Sequence, residues 1–299
     1  MGEKGGISSW WDAQCDFHMR PIFRAAFYLF IAVGVVLASQ FIAGQLGLAG
    51  LIAHRNQPVA FYLVVSPGLL LAGWLMLIAF DRRSYRALGL WFYPRWPREA
   101  VIGVGIGAGL IAAVAGIMLA AHGLSYEGLD PGGAPAGFLR IAGFLLLAAA
   151  FEEILFRGYA YQRLVDSLGV LGAIALSSTL FGLAHMVNPA ATPLSTANTI
   201  LAGVLLSAAY LKTRALWLPI GLHWAWNFSL GPIHSLPVSG FRMSPALLRA
   251  RIAGPEWLTG GAYGPEGSII LTGACIVAIV WLARTKSIFP SPAMAEALK

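Results

Sequence analysis

The fold of this chain is decided by the stretch from Ser167 to Leu211, which reads SLGVLGAIALSSTLFGLAHMVNPAATPLSTANTILAGVLLSAAYL. This stretch contains no Asp, Glu, Lys or Arg, and it is far longer than the roughly 20 apolar residues that one helix needs to cross a bilayer. Asn188-Pro189 and Pro193 divide it in two, because proline interrupts helical hydrogen bonding. Since every backbone N–H and C=O must be satisfied internally in hydrocarbon, the stretch predicts two successive membrane helices.

The composition of the whole chain supports lipid as the solvent. Apolar residues make up 58% of the 299 positions and charged residues only 11%, whereas a soluble domain carries about a quarter charged residues. The net charge of +7 does not predict nucleic-acid binding, because the Lys and Arg residues lie at the ends of apolar windows and form no continuous face. We therefore expect an all-α, polytopic integral membrane protein that binds no nucleic acid.

Apolar windows and their breaks predict eight helices in this chain. Their expected ranges are Ile22–Leu46, Val59–Phe80, Glu99–Ala121, Gly137–Ser167, Gly169–Met186, Leu194–Leu211, Leu216–Leu230 and Ser268–Ala283. The third of these helices carries glycine at four alternate positions, Gly103, Gly105, Gly107 and Gly109. Such small residues let neighbouring helices approach closely, so we expect this helix to pack tightly.

The distribution of positive charge predicts the orientation of the chain. Five arginines crowd the second connection between Arg82 and Arg98, whereas the next connection, from His122 to Gly137, has no Lys or Arg. Positive connections face the cytoplasm, so an even number of crossings places both termini there. The usage of Gly, Ala and Arg is typical of bacteria, which indicates the bacterial inner membrane. The expected organisation is a cytoplasmic tail (1–21), three packing helices (22–136), a catalytic core (137–231), an outer loop (232–267) and a last helix with a cytoplasmic tail (268–299).

Charged residues break the apolar rule in the sequence Phe151-Glu152-Glu153-Ile154-Leu155-Phe156-Arg157. Each charge near a helix centre costs on the order of 3 kcal/mol on insertion, so such residues indicate function. Glu153 and Arg157 are four residues apart with the acid first, which is the favourable order for an ion pair. Adjacent helical residues point about 100° apart, so Glu152 faces elsewhere without a counter-ion. An unpaired carboxylate in a low-dielectric site can act as a general base.

Two further clusters contain polar residues within apolar windows. Phe181 and His185 share one helix face, and so do His223 and Asn227, because each pair is four residues apart. At about 1.5 Å per residue, Glu152 and His185 both lie roughly 20–25 Å from the turn near Ser167, and the His223 cluster lies at a comparable depth from the connection at Lys212–Arg214. The three clusters therefore predict one shared site.

Glu-Glu-x-x-x-Arg, Phe-x-x-x-His and His-x-x-x-Asn, in this order, resemble the CPBP family, also called Abi, which includes type II CAAX prenyl endopeptidases and bacteriocin-processing or immunity proteins. The resemblance covers about Leu145 to Leu230 and implies an intramembrane endopeptidase. By this resemblance Glu152 and His185 would activate the attacking water, and His223 with Asn227 would stabilise the oxyanion. Glu153 and Arg157 would hold the helix geometry.

The resemblance also bears on cofactors and partners. Members of the family are often described as metallopeptidases, and Glu152, His185 and His223 would be the ligands if a zinc ion were bound. A glutamate base without metal would serve equally, so the sequence leaves zinc open. The implied partners are membrane lipid and a peptide or protein substrate, which can carry a lipidated or membrane-embedded segment.

Two other functions are compatible with intramembrane polar residues. A proton- or ion-coupled transporter would use Glu, Arg and His as relay groups, but its two pseudo-symmetric halves are not seen in the sequence. A membrane immunity factor or scaffold could keep the core of the family without turnover. The intact motifs favour the peptidase.

The predicted orientation can be tested with reporter fusions. Because the second connection is rich in arginine, a fusion after Arg95 should report the cytoplasm. Fusions between His122 and Gly137 should report the periplasm, as measured with a phosphatase and a fluorescent reporter. The reverse pattern at both sites would contradict eight crossings with cytoplasmic termini.

Overall fold

The computed structural model describes residues 20–45, 59–130 and 135–298. The expected N-terminal tail, 1–21, lies outside the described residues apart from its last two positions. Within the described ranges the chain contains eight helices of twelve residues or more, which confirms the all-α class. They are α1 (Pro21–Gln45), α2 (Val59–Met76), α3 (Trp96–Ala120), α4 (Pro135–Arg157), α5 (Tyr159–Ala184), α6 (Pro193–Thr213), α7 (Trp217–Phe228) and α8 (Ile269–Arg284).

The helices present apolar side chains on their outer surfaces. Phe30 is 75% exposed and Leu171 is 82% exposed, as expected for faces in contact with lipid. Within 20–45, 59–130 and 135–298, five segments are long and apolar enough to cross a membrane, and one of them, Pro135–Val187, contains both α4 and α5. The shorter α8 is also apolar. The chain is an integral membrane protein, and its eight crossings stay a prediction.

The boundary between the fourth and fifth helices differs from the sequence prediction. The expected continuous helix from Gly137 to Ser167 is wrong, because α4 ends at Arg157 and the chain turns at Gly158. A side chain at this turn would lie 2.3 Å from the carbonyl oxygen of Ile154, which explains the glycine. Helix α5 then bends at Gly169, whose φ of +70° favours glycine.

This bend divides α5 into two parts with different neighbours. The first part packs on α1 and α2, where Tyr159 contacts Tyr28 with ring centroids 5.4 Å apart. The second part returns alongside α4, and Ser177 Oγ donates a hydrogen bond to the Phe156 carbonyl over 2.9 Å. The returning part therefore brings the end of α5 to the level of Glu152.

Helix α3 packs against α7 through two of its four alternate glycines. A methyl group on Gly103 would lie 2.2 Å from the Leu218 carbonyl oxygen, and one on Gly107 would lie 2.2 Å from that of Leu222. Gly105 and Gly109 face open space. The close contact therefore follows the helical spacing of four residues, and it fixes α3 directly behind the helix that carries His223.

The segment expected to be an outer loop, 232–267, contains regular structure. Strand β2 (Leu248–Ile252) pairs antiparallel with β1 (Leu124–Leu129), with Leu124 opposite Ile252. A short helix, Glu256–Thr259, follows. Residues 238–243 and Glu266 turn inward and form one wall of a cavity between the helices.

The packing of α3 on α7 predicts the effect of adding one methyl group. Gly107→Ala should lower the free energy of unfolding by about 1–3 kcal/mol, because the added carbon overlaps a backbone oxygen that cannot move aside. Gly105→Ala is the matched control and should be neutral or slightly stabilising, since alanine favours helices. Denaturant unfolding in detergent measures both, and equal stability of the two variants would contradict the close contact.

Candidate active site

A cavity of about 510 Å³ lies between α4, α5, α6, α7 and the inward-turning part of 232–267. Four of the six predicted site residues line it: Glu152, His185, His223 and Asn227. The other two, Glu153 and Arg157, lie behind its wall with no solvent exposure. Aromatic and aliphatic side chains also line the cavity, among them Tyr62, Phe144, Leu145 and Phe151.

The carboxylate of Glu152 faces both imidazole rings. Its Oε2 atom lies 3.8 Å from His185 Nε2 and 3.8 Å from His223 Nε2. These distances are too long for direct hydrogen bonds. Within the described residues, Oε2 is buried and has no hydrogen-bond partner. One acid and two ring nitrogens thus converge on the same small region.

The ring of His185 is oriented by the backbone of its own helix. Helix α5 ends at Ala184 because Asn188-Pro189 follows, and residues before proline avoid the helical conformation. His185 Nδ1 lies 2.8 Å from the Phe181 carbonyl oxygen, which can only accept a hydrogen bond. Nδ1 therefore carries a hydrogen atom, and Nε2 is the ring nitrogen on the side of Glu152.

Glu153 contacts two partners rather than one. Its Oε1 atom accepts a hydrogen bond from Arg157 Nη1 over 3.3 Å and another from His223 Nδ1 over 2.9 Å. A carboxylate that accepts from one imidazole nitrogen fixes the ring and favours the imidazolium. The adjacent glutamates therefore contact opposite nitrogens of His223, and Glu153 orients this ring as well as pairing with Arg157.

Arg157 connects three helices from a fully buried position. Its Nη2 atom donates to the Gly203 carbonyl on α6 over 3.1 Å. Its guanidinium lies 4.5 Å from the centroid of the Phe181 ring on α5, at cation–π distance. The phenylalanine of the second motif therefore packs on the arginine of the first.

Two buried polar residues of the cavity wall were not predicted from the sequence. Asn198 on α6 is fully buried, and its Nδ2 atom donates to the backbone oxygens of Glu266 and Ser268. The Glu266 side chain is 8% exposed, and burial raises its pKa while hydrogen bonds from Ser239 and Trp226 oppose this rise. Asn198 has no charge to mark it within an apolar window, and Glu266 lies just before the last window, where an acid suggests a surface loop.

The three candidate zinc ligands are Glu152, His185 and His223. Among the described residues, no three His, Cys, Asp or Glu side chains form a group that could hold a metal ion. Glu152, His185 and His223 are therefore not brought together as such a group in this arrangement, and zinc stays a hypothesis of the sequence analysis. Glu153 on His223 and the Phe181 carbonyl on His185 instead orient both rings toward Glu152.

Comparison with known proteins bears directly on this site. The family described as type II CAAX prenyl endopeptidase Rce1-like matches residues 134–229. The match confirms the family resemblance. It begins one residue before α4 and ends one residue after α7, so the matched residues contain the three polar clusters described above. No curated protein and no solved structure matches the chain.

The buried ion pair of this Rce1-like segment predicts a stability effect. Glu153→Gln should lower the free energy of unfolding by about 3–5 kcal/mol, because it leaves the Arg157 guanidinium buried without a counter-charge. Thermal or denaturant unfolding in detergent measures the change. Glu153→Gln combined with Arg157→Met should recover part of the loss, since the double variant contains no unpaired charge. A single variant as stable as the unaltered chain would contradict the role assigned to this pair.

Proposed function

We propose that this protein is an intramembrane endopeptidase in which Glu152 activates a water molecule for attack on a peptide bond. The observation that carries the proposal is the convergence of Glu152 Oε2 and two imidazole Nε2 atoms, each 3.8 Å from the carboxylate. Two atoms at this separation can be bridged by one water oxygen about 2.8 Å from each of them. The Rce1-like family implies a protease, and this geometry suits hydrolysis by an activated water.

The first step uses Glu152 and His185. The lone pair of His185 Nε2 accepts a hydrogen bond from the water and so holds it beside Glu152. Glu152 takes a proton while the water oxygen bonds to the carbonyl carbon of the substrate.

The second step uses His223 and Asn227, which share one face of α7. The oxyanion that forms on the substrate accepts hydrogen bonds from His223 Nε2–H and from the Asn227 amide. The carboxylate of Glu153 on Nδ1 favours the imidazolium form of His223, which carries the required Nε2 hydrogen. When the C–N bond breaks, the proton held by Glu152 passes to the leaving nitrogen. Donors of this kind typically contribute about a hundred- to a thousand-fold to kcat.

The substrate that we propose is a peptide with an apolar or lipidated segment presented at the membrane. The cavity is lined by aromatic side chains, including Tyr62, Phe144 and Phe151, as well as by the polar groups of the site. An apolar portion of the substrate can therefore lie against the aromatic side chains while the peptide bond faces Glu152. We also propose that the protein resides in a bacterial inner membrane with both termini in the cytoplasm.

The function is tested by one substitution at the proposed base. Glu152→Gln should reduce kcat by about 10²- to 10⁴-fold, because an amide cannot take the proton from water. Its stability should be almost unchanged, since no described residue donates a hydrogen bond to Oε2. The measurement is cleavage of quenched-fluorescent peptides ending in a Cys-aliphatic-aliphatic-X sequence, with and without a prenyl group on the cysteine.

The matched control is Glu127→Gln, which makes the same change at an exposed position of β1. This control should cleave the peptides like the unaltered protein. Cleavage by the Glu152→Gln variant at the unaltered rate would exclude Glu152 as the base. No cleavage of any peptide by the unaltered protein would count against the proposed substrate class.

A further inference from the structure

Glu266 is a second carboxylate in the wall of the cavity, outside the segment that matches the family. It lies in the connection between α7 and α8, directly before the start of α8. The three motifs do not include it. Its side chain nevertheless lines the same cavity as the proposed active site.

The Glu266 side chain accepts hydrogen bonds from two separate parts of the chain. Its Oε1 atom accepts from Trp226 Nε1 on α7 over 3.0 Å. Its Oε2 atom accepts from the backbone N–H of Ser239 and from Ser239 Oγ, the latter over 3.0 Å. One carboxylate therefore joins α7 to residues 237–241. We call these residues the wall segment, and we call the hydrogen bonds that the Glu266 carboxylate accepts from Trp226 and Ser239 the tie.

A second group of hydrogen bonds fixes the backbone of Glu266 itself. Asn198 Nδ2 donates to the Glu266 carbonyl oxygen over 2.9 Å and to that of Ser268 over 2.8 Å. Asn198 Oδ1 accepts from Thr272 Oγ1 on α8 over 2.7 Å. The side-chain amide of the fully buried Asn198 thus fixes the backbone of Glu266 relative to α6. The position of the Glu266 carboxylate is constrained as a result.

The hydrogen-bonding chemistry here favours a carboxylate over an amide. The Trp226 indole N–H and the Ser239 backbone N–H can only donate. A glutamine would have to point its NH₂ group at one of these two donors, so one of the two hydrogen bonds would be lost. The acid at position 266 is therefore matched to its surroundings.

The tie bears on catalysis through the position of Trp226 in α7. This residue directly precedes Asn227 and comes three positions after His223, on the same helix. Holding the indole fixes the rotation of α7 about its axis, which sets where His223 and Asn227 point.

We propose that Glu266 is a positioning residue of the peptidase, which holds the wall segment against α7 and thereby aims His223 and Asn227 at the substrate. The catalytic part of this inference rests on the proposed function, whereas the physical tie does not. Because the tie would set the geometry of transition-state donors, its loss should change kcat more than KM.

The tie itself is tested by hydrogen–deuterium exchange of the Glu266→Gln variant in detergent micelles. Amides of the wall segment and of residues 260–267 should exchange faster by about tenfold or more, because the constraint that closes this connection is weakened. Exchange in α3 should not change. Glu256→Gln is the matched control, since it removes an exposed acid from the same connection, and it should exchange like the unaltered protein.

Kinetics with the same quenched peptides test the positioning role. Glu266→Gln should lower kcat by about tenfold or more while KM changes by less than about threefold, in line with the loss of a transition-state contact. Trp226→Phe keeps the aromatic ring and removes only the N–H donor, so it should lower kcat in the same direction. If both act through one tie, the double variant should be no worse than the more severe single variant.

The outcomes separate this inference from the proposed function. Unaltered exchange in Glu266→Gln would overturn the tie, whether or not any peptide is cleaved. Faster exchange with unaltered kcat would overturn the positioning role and leave the proposed function intact. If Glu266→Gln does not fold, Trp226→Phe decides, and its unaltered kcat would overturn the proposal. If the unaltered protein cleaves no peptide, the proposed function and the catalytic part fail, and the exchange result still decides the tie.

Discussion

The buried ion pair between Glu153 and Arg157 is the interaction on which the arrangement of the site depends. Both side chains are removed from solvent, and further hydrogen bonds offset part of the cost of burying their charges. These bonds join Glu153 Oε1 to His223 on α7 and Arg157 to the Gly203 carbonyl on α6, while Phe181 of α5 covers the guanidinium. The four helices of the cavity therefore meet at one point, and the motif residues that look separate in sequence form one connected group.

The same pair explains how two adjacent glutamates acquire different environments. Glu153 points into the protein and is held by two donors, whereas Glu152 points into the cavity, where no described residue donates to its Oε2 atom. His223 lies between them and contacts one with each ring nitrogen. A carboxylate held by two donors on one oxygen is suited to orienting its neighbour, and a carboxylate that faces the cavity is suited to proton transfer.

Much of this architecture could be predicted from the sequence because lipid imposes simple rules. Charge-free windows locate the helices, and the rarity of charge in them marks Glu152, Glu153 and Arg157. The break at Gly158 could not be predicted this way, because the residues around it are as apolar or amphipathic as a continuous helix would be. The bond from His223 to Glu153 depends on the rotation of two helices that are distant in sequence. Asn198 and Glu266 were missed because an uncharged amide and an acid in a connection look unremarkable until the chain folds around them.

The glycine contact between α3 and α7 has a consequence for how this protein can move. A helix that rests with its carbonyl oxygens against two bare backbone positions cannot slide along its neighbour. A shift along the helix axis would move those oxygens off the glycines and toward positions that carry side chains. Helices α3 and α7 are therefore expected to move together as one rigid pair. The movements that let a peptide enter must therefore occur at other parts of the cavity lining, such as the residues near Tyr62. The α3–α7 pair meanwhile keeps the positions of His223 and Asn227 constant.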